Sequence, residues 1–373
     1  MKVGILTFQF AINYGAVLQL YSLQKTLKDM GYETEVINYI PDDFDVTSMR
    51  AILRNSGLKS KKDGVKAIAH RVLLNLKNQK KLCASFKEFE NKNFKLSKVC
   101  NSSNWEEVFK QYDAIVVGSD QVWNPTSQRG RVYFLDSDAI KGKRISYAAD
   151  STGAGVDENN KERLCRALNK FDAVSVRNTH SAEFFKNVTG NEAEIVADPV
   201  ILSSFDEFKS KNDNGKYAFV YLLGKEIPGG HEKIISEVKK KYGDIKIIQA
   251  VMIKQNEFVI LNEADEKFAD CSPEDWVNLI ANAEFVFTDS FHCILFSLKF
   301  KRNFMAYYSE KNRAPRLLGL QAQYNLGSKI VGSADEAIEK DSLNYQLNYE
   351  EIDKVFEAQK KEAIEFLKSN LGE

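Results

Sequence analysis

The chain has 373 residues, 43% of them hydrophobic and 11% aromatic, more than one hydrophobic core ordinarily serves and enough apolar material for two domains. Lysine plus arginine and aspartate plus glutamate both total 52, so the zero formal charge excludes a global attraction to nucleic acid and leaves only local patches. The five cysteines are scattered without a CxxC pair, so neither a disulfide framework nor a zinc site is indicated, and reduced, mostly buried thiols are expected.

Lys2–Phe8 reads as a first buried strand, because its apolar run is too short for a signal sequence and turns polar at Gln9 and Asn13. No stretch approaches the roughly 18 uninterrupted apolar residues of a membrane span, which leads us to expect a cytoplasmic protein. Ala16, Leu20, Leu23, Leu27 and Met30 then fall at helical spacing, and Gly31 is placed to end that helix. With a strand over Thr34–Tyr39 the chain opens β-α-β, most simply a right-handed parallel unit. The loop between, Asn13-Tyr14-Gly15, either lets a ligand approach backbone N–H groups at Gly15 or is an ordinary loop before a helix.

From Asp42 to about Cys100 the pattern becomes lysine-rich and helical with no obvious strand. Val65, Ile68, Val72 and Leu76 make an apolar stripe with Arg71, Lys77, Lys80 and Lys81 nearby. This segment is an amphipathic excursion packed on the first domain or, alternatively, a contact with an anionic membrane surface or lipid-linked substrate, which would put the protein at the inner face of the membrane.

Ala114-Ile115-Val116-Val117 suits a central parallel strand and runs into Gly118-Ser119-Asp120-Gln121-Val122-Trp123-Asn124-Pro125. A carboxylate, two amides and an indole beyond a buried strand suit carbohydrate, whose hydroxyls need donors and acceptors and whose faces stack on aromatic rings. The other reading is a turn whose Trp123 is core. Arg144–Ala149 and Ala173–Val176 read as further strands, and Arg177 follows the second at a position where an arginine can meet an anion. After Asp198-Pro199, the polar stretch from Ser203 to Lys216 is the best domain boundary.

A second alternating series follows: strand Tyr217–Leu222, a helix from about Gly230 to Tyr242, strand Ile245–Ile248, and a well-capped helix start at Ser272-Pro273-Glu274-Asp275. Phe285-Val286-Phe287-Thr288-Asp289-Ser290-Phe291-His292 reads as strand, turn and helix start, placing an imidazole beside helix N–H groups where open α/β sheets build ligand crevices. A strand over Asn303–Tyr307 comes next, and Arg313-Ala314-Pro315-Arg316 puts two guanidiniums near a further helix start. The expected organisation is an N-terminal Rossmann-like domain over 1–207, including the helical excursion at about 42–100, a C-terminal Rossmann-like domain over 208–345, and a terminal helix in 346–373 that crosses back to the first domain.

Two such domains imply a cleft lined by strand-end loops, which collects Asn13, Asp120, Gln121, Arg177, Ser290, His292 and Arg316. Arginines, a helix N-terminus and a serine would bind phosphate or carboxylate, while an acid and an imidazole could move protons. No GxGxxG, Walker loop, GxSxG or metal-spaced histidine cluster appears, and His70, His180 and His231 are expected to be solvated.

These residues carry a resemblance to the polysaccharide pyruvyl transferases. Asn13-Tyr14-Gly15-Ala16-Val17-Leu18-Gln19 resembles that family's first loop and helix, and Gly118-Ser119-Asp120-Gln121-Val122-Trp123-Asn124 resembles its most distinctive block in one large branch. Ser175-Val176-Arg177, Asp198-Pro199 and Thr288-Asp289-Ser290-Phe291-His292 match later blocks in the same order. The resemblance implies an α/β fold of two Rossmann-like domains facing a cleft, similar to the GT-B glycosyltransferase fold. It also implies transfer of pyruvate from phosphoenolpyruvate onto two hydroxyls of a sugar, in a polysaccharide or its lipid-linked precursor, with release of phosphate. Phosphoenolpyruvate is then a co-substrate, and no cofactor or metal is called for. Arg177 and His292 match the family's donor-binding positions. Ser290 stands where other branches have an arginine and Cys293 where a glycine commonly follows the histidine, which leaves Arg316 or Arg313 to supply a cation.

On this reading Arg177 and Arg316 clamp the donor's anionic groups with Ser290 and Asn13, His292 is the general acid, Asp120 the base, and Gln121, Trp123 and Asn124 bind the acceptor. A nucleotide-sugar glycosyltransferase, with His292 and Arg177 on the diphosphate, and a non-catalytic carbohydrate-binding protein are the alternatives.

Overall fold

The computed structural model describes residues 1–42, 44, 65–125, 130–152, 156, 158–210, 214–252, 260–309 and 314–372, with the backbone alone at 65–78, 130–131 and 159. They fall into two compact units, one of Met1–Phe44, Asn91–Ser203 and Lys354–Glu373, the other of Asp45–Glu90 and Ser204–Asp353.

The first unit holds a six-stranded parallel sheet of β1 (Lys2–Leu6), β2 (Glu33–Val36), β3 (Ala114–Val117), β4 (Lys143–Ala149), β5 (Ala173–Val176) and β6 (Glu194–Ile195) in the order β2-β1-β3-β4-β5-β6. All four residues of β3 are buried, as a central parallel strand covered on both faces requires, which is why it reads as an unbroken apolar run. The strand order reverses between β1 and β3, and Leu6 pairs with Val117, so the loops leaving these two strands emerge side by side. Such a switch point is where α/β sheets place ligands. The helix Tyr14–Asp29 packs Leu20, Leu23 and Leu27 out of solvent, each worth about 1.5–3 kcal/mol of burial. It ends before Gly31, whose φ of +91° is the left-handed geometry a helix terminus favours.

The second unit repeats the plan with β7 (Tyr217–Tyr221), β8 (Lys246–Ala250), β9 (Glu266–Phe268), β10 (Phe285–Thr288), β11 (Asn303–Tyr307) and β12 (Ile330–Val331) in the order β12-β11-β10-β7-β8-β9, again all parallel. Its switch point lies between β7 and β10. The helix Pro273–Ala281 starts in a full capping box between Ser272 and Asp275, and Trp276 and Ile280 on it are fully buried. Two parallel six-stranded sheets with flanking helices bear out the expected α/β class.

Among its described residues the lysine-rich excursion contains the helix Val65–Asn93. The apolar stripe Val65, Ile68, Val72 and Leu76, with Arg71, His70 and Lys77, lies outside the described side chains. Farther along, Leu82, Phe86 and Phe89 are buried at helical spacing, and Phe89 meets Phe208 edge-on at 5.8 Å. Lys81 pairs with Asp270 at 3.1 Å. These partners belong to the second unit, as residues 45–90 do, whereas the sequence associates the excursion with the first domain. The terminal helix Tyr349–Leu371 buries Ala363, Phe366 and Leu367, and in the first unit Phe366 packs on Tyr147 while Lys143 Nζ donates to Asn370 O at 2.8 Å. Among the described residues no helix is long and apolar enough to cross a membrane.

Candidate functional site

In the first unit the turn after β3 is built to hold one geometry. Gly118 has φ +113°, and a Cβ there would lie 2.3 Å from Tyr147 O, so only glycine fits. Thr7 Oγ1, at the end of β1, donates to Ser119 O at 2.8 Å, and Ser119 N donates to Gln19 Oε1 at 3.2 Å. Gln19 Nε2 in turn donates to Thr7 Oγ1 at 3.2 Å, closing a fully buried polar triangle across the switch point. Gln19 therefore fixes this turn from the first helix, a role its place in the sequence does not disclose. Asp120 follows with φ +80°, its carbonyl accepting from Asp150 N at 3.0 Å and its Oδ1 from Gln121 N at 2.8 Å. The Asp120 side chain is 17% exposed, and among the described residues its Oδ2 accepts no hydrogen bond.

Strand β4 carries a bulge before its end: Ser146 pairs with Val174 but Ala149 with Val176, and Ala148 takes φ +49°. This turns Asp150 towards Arg177 at the end of β5. Arg177 Nη2 donates to Asp150 Oδ2, Nη1 donates to Asp198 Oδ2 at 2.9 Å, and Asp120 Oδ1 lies 3.9 Å from Nη2. Burial acts to lower the guanidinium's pKa, but Asp150, Asp198 and Asp120 together raise it above its ordinary value. Arg177 is thus fully charged and met by carboxylates of its own unit, which differs from the expected anion clamp. The reason is that three strand ends deliver acids to one place. Asp150 sits one residue beyond a strand recognisable in the sequence, and that position is the signal that marks it.

Trp123, expected to stack on an acceptor sugar, is core. It is fully buried, stacks between Phe134 and Phe185, meets Phe171 edge-on, and donates from Nε1 to Tyr133 O at 3.2 Å. A ring with no exposed face cannot receive a sugar. Gln121 and Asn124 on the same turn are partly exposed. Asn13, assigned to the donor, uses its side-chain oxygen to cap the helix Tyr14–Asp29, accepting from Ala16 N at 3.2 Å.

In the second unit β10 runs into the helix Phe291–Lys299 through a hydrogen-bonded turn. Thr288 Oγ1 donates to Tyr221 O at 2.6 Å and accepts from Ser290 N at 3.0 Å, while Asp289 Oδ1 accepts from Leu223 N at 2.6 Å across the β7/β10 switch point. Ser290 is the helix N-cap, its Oγ accepting from Cys293 N at 3.4 Å. His292 therefore stands in the first turn of a nine-residue helix, 7% exposed, where the positive end of the helix dipole favours an anion. Arg316, on the helix Ala314–Gln323, holds its guanidinium 5.6 Å from the ring centroid of Phe291. The structure brings Ser290, His292 and Arg316 to one helix start; Arg313 lies outside the described residues. Cys293 is fully buried, and burial pushes its thiol pKa up.

His231 is not solvated, contrary to expectation. It begins the helix His231–Tyr242, is 5% exposed, and its Nε2 accepts from Ile227 N at 3.3 Å and lies 2.9 Å from Tyr307 Oη. Burial lowers its pKa. His180 is about half exposed beside Glu183, in line with the sequence reading. Among the described residues no group of three or more His, Cys, Asp or Glu side chains is arranged to hold a metal ion, and all five cysteines are free thiols.

Among solved structures, the fold is similar to that of Anabaena Alr3699/HepE in complex with UDP and glucose, at 10% identity over 97% of this chain and 94% of that chain with a TM-score of 0.52. It is also similar to S. aureus MnaA in a UDP co-structure, at 12% identity over 97% of this chain and 90% of that one with a TM-score of 0.50. Neisseria meningitidis UDP-GlcNAc 2-epimerase bound to UDP-GlcNAc aligns at 11% identity over 98% of this chain and 99% of that one, with a TM-score of 0.47. At such identities the likeness to the first two is one of fold alone, which is GT-B-like. No curated protein matches the chain in sequence. The polysaccharide pyruvyl transferase family model matches residues 13–311, a span that takes in the Asp120 turn, Arg177 and the Ser290–His292 helix start, and the chain belongs to that family.

Proposed function

We propose that this enzyme transfers the pyruvyl group of phosphoenolpyruvate to two hydroxyls of a sugar, in a polysaccharide or its lipid-linked precursor, forming a cyclic ketal and releasing phosphate. The observation that carries this reading is the helix start after β10, where Ser290 caps, His292 follows in the first turn and Arg316 lies over Phe291. A cation, a helix N-terminus and an imidazole suit a donor with a carboxylate, a phosphate and a carbon that must be protonated.

The reaction balances without a redox partner. One sugar hydroxyl adds to the enol carbon as the methylene gains a proton, giving a methyl-bearing centre that still carries phosphate. The second hydroxyl then displaces phosphate, and its proton leaves on that phosphate. Two carbon–oxygen bonds to the sugar form and one to phosphate breaks. His292 is the acid that protonates the methylene, Asp120 accepts the proton of the first hydroxyl, and Arg316 with Ser290 holds the donor. Gln121 and Asn124, partly exposed beside Asp120, contact the acceptor. The residues read as acceptor-binding belong to the first unit and those read as donor-binding to the second. Arg177, whose charge is already answered by Asp150 and Asp198, supports the acceptor side instead of gripping the donor.

The test is phosphate release from phosphoenolpyruvate with methyl galactosides, methyl mannosides and their lipid-linked forms, run beside UDP-sugars as competing donors. Sugar-dependent phosphate release that His292→Gln abolishes is the expected result. Glycosyl transfer from a UDP-sugar without any use of phosphoenolpyruvate would replace this reading by the glycosyltransferase one.

A further inference from the structure

One guanidinium in the first unit faces three carboxylates and does not divide itself equally among them. Arg177 donates to Asp198 and Asp150, whereas Asp120 Oδ1 stands 3.9 Å from Nη2, outside hydrogen-bond reach. The two bonded acids are held from behind. Asp150 Oδ1 accepts from Thr152 N at 2.7 Å and from Ser181 Oγ at 3.4 Å, and Asp198 Oδ1 accepts from Val200 N at 3.0 Å. Asp150 and Asp198 side chains are 1% and 2% exposed against 17% for Asp120. The acid that meets solvent is therefore the one that does not touch the guanidinium.

We propose that Asp150 and Asp198 are positioning residues that, by taking the hydrogen bonds of Arg177, hold its charge off Asp120 and keep that carboxylate able to accept a hydroxyl proton. The inference rests on the reading of Asp120 as the proton acceptor. Its physical basis is that a carboxylate in direct contact with a guanidinium is a weaker base, while one left beside uncompensated carboxylates is a stronger one. Nη2 is the nitrogen shared between Asp150 and the approach to Asp120, so Asp120 is the next carboxylate in its reach once Asp150 is neutral. Among the described residues the charged groups around Asp120 are Arg177 at the end of β5, Asp150 at the end of β4 and Asp198 after β6. Behind Asp198 the Tyr147 hydroxyl donates to Ala197 O at 3.1 Å.

The experiment is the pH profile of kcat/KM for the acceptor, read by phosphate release, in Asp150→Asn, Asp198→Asn and Arg177→Gln, together with a crystal structure of Asp150→Asn. In the two asparagine variants the acid limb moves towards acid by about 1 pH unit and kcat falls about tenfold; in Arg177→Gln the limb moves the other way. The crystal structure shows the guanidinium within about 3.2 Å of Asp120. A merely structural role would lower activity and Tm without moving the limb in opposite directions. Limbs that stay in place, or a guanidinium still about 4 Å from Asp120 in Asp150→Asn, overturn the proposal. The crystal structure decides it even without turnover, whereas full activity in Asp120→Asn would remove the proton-acceptor reading itself.

Discussion

Arg316 lays its guanidinium over the ring of Phe291, 5.6 Å from the centroid, so a cation is held one residue before His292 at the start of the helix Phe291–Lys299. The family resemblance sets Ser290 where other branches have an arginine, and a stacked arginine delivered from a later helix is a physical substitute for it. A contact of this kind is worth about 0.5–1 kcal/mol when exposed, enough to bias the side chain's direction.

Arg316→Ala is expected to raise KM for phosphoenolpyruvate about tenfold or more, the loss of roughly 1.4 kcal/mol or more of charge-assisted binding, with a smaller change in kcat. Arg316→Lys should fall between, because a lysine keeps the charge but not the planar fork. Ser290→Arg introduced into Arg316→Ala should recover part of the donor affinity, less about 1 kcal/mol of stability for the lost cap. Isothermal titration of phosphoenolpyruvate measures all three, and unchanged affinity in Arg316→Ala would assign the donor elsewhere.

His292→Gln should lower kcat by about 10²–10⁴, the usual contribution of a positioned acid, while leaving acceptor KM within about twofold. Steady-state phosphate release checks this, with circular dichroism to establish that the helix start is intact. Retention of wild-type turnover would exclude proton donation by the imidazole.

Trp123 predicts a separation of stability from binding. Trp123→Ala should destabilise the protein by about 3–5 kcal/mol, since it empties a site bounded by Phe134, Phe171 and Phe185. Trp123→Phe should cost less and leave acceptor KM unchanged. Denaturation midpoints and acceptor titrations distinguish this from a sugar-stacking role, which would show as weakened acceptor binding in a folded Trp123→Phe.

Lys329 gives a pH-dependent prediction away from the chemistry. Its buried ammonium donates to Asn303 Oδ1 at 2.7 Å and Ser342 O at 2.9 Å, and burial, with Lys241 nearby, lowers its pKa to about 7. Between about 7 and the ordinary value of 10.5 the unfolded chain holds a proton that the folded one has released, so folding stability at this site rises with pH across that window. Below about 7 both states are protonated and this contribution is flat. Urea midpoints from neutral to alkaline pH should show the rise in the wild type and its absence in Lys329→Met; parallel curves would count against it.

Three inner strands, Ala114–Val117, Ala173–Val176 and Asn303–Tyr307, have the bounds read from the sequence, and Lys2–Leu6, Lys143–Ala149 and Tyr217–Tyr221 differ from theirs by one or two residues. Covered strands must be apolar on both faces, so their composition announces them. Strands β9 (Glu266–Phe268) and β12 (Ile330–Val331) were not legible, because short edge strands with exposed or few residues carry no such run. The positions of the candidate site were legible for the same reason, since strand ends followed by small polar residues and helix starts are marked by local chemistry.

What the sequence determined by itself was therefore the alternation of elements and the list of side chains delivered to the strand ends. Only the tertiary structure decided what each of those side chains faces. Gln19 reaches Ser119 across 100 positions, and Arg177 meets Asp150 and Asp198 across 27 and 21. Trp123 and His231 were buried by aromatic neighbours from other elements, including Phe185 and Tyr307. Partners so far apart are joined by sheet order and by a bulge in β4, which no local spacing encodes. The charge of Arg177 could be read from its identity; the three carboxylates around it belong to the fold.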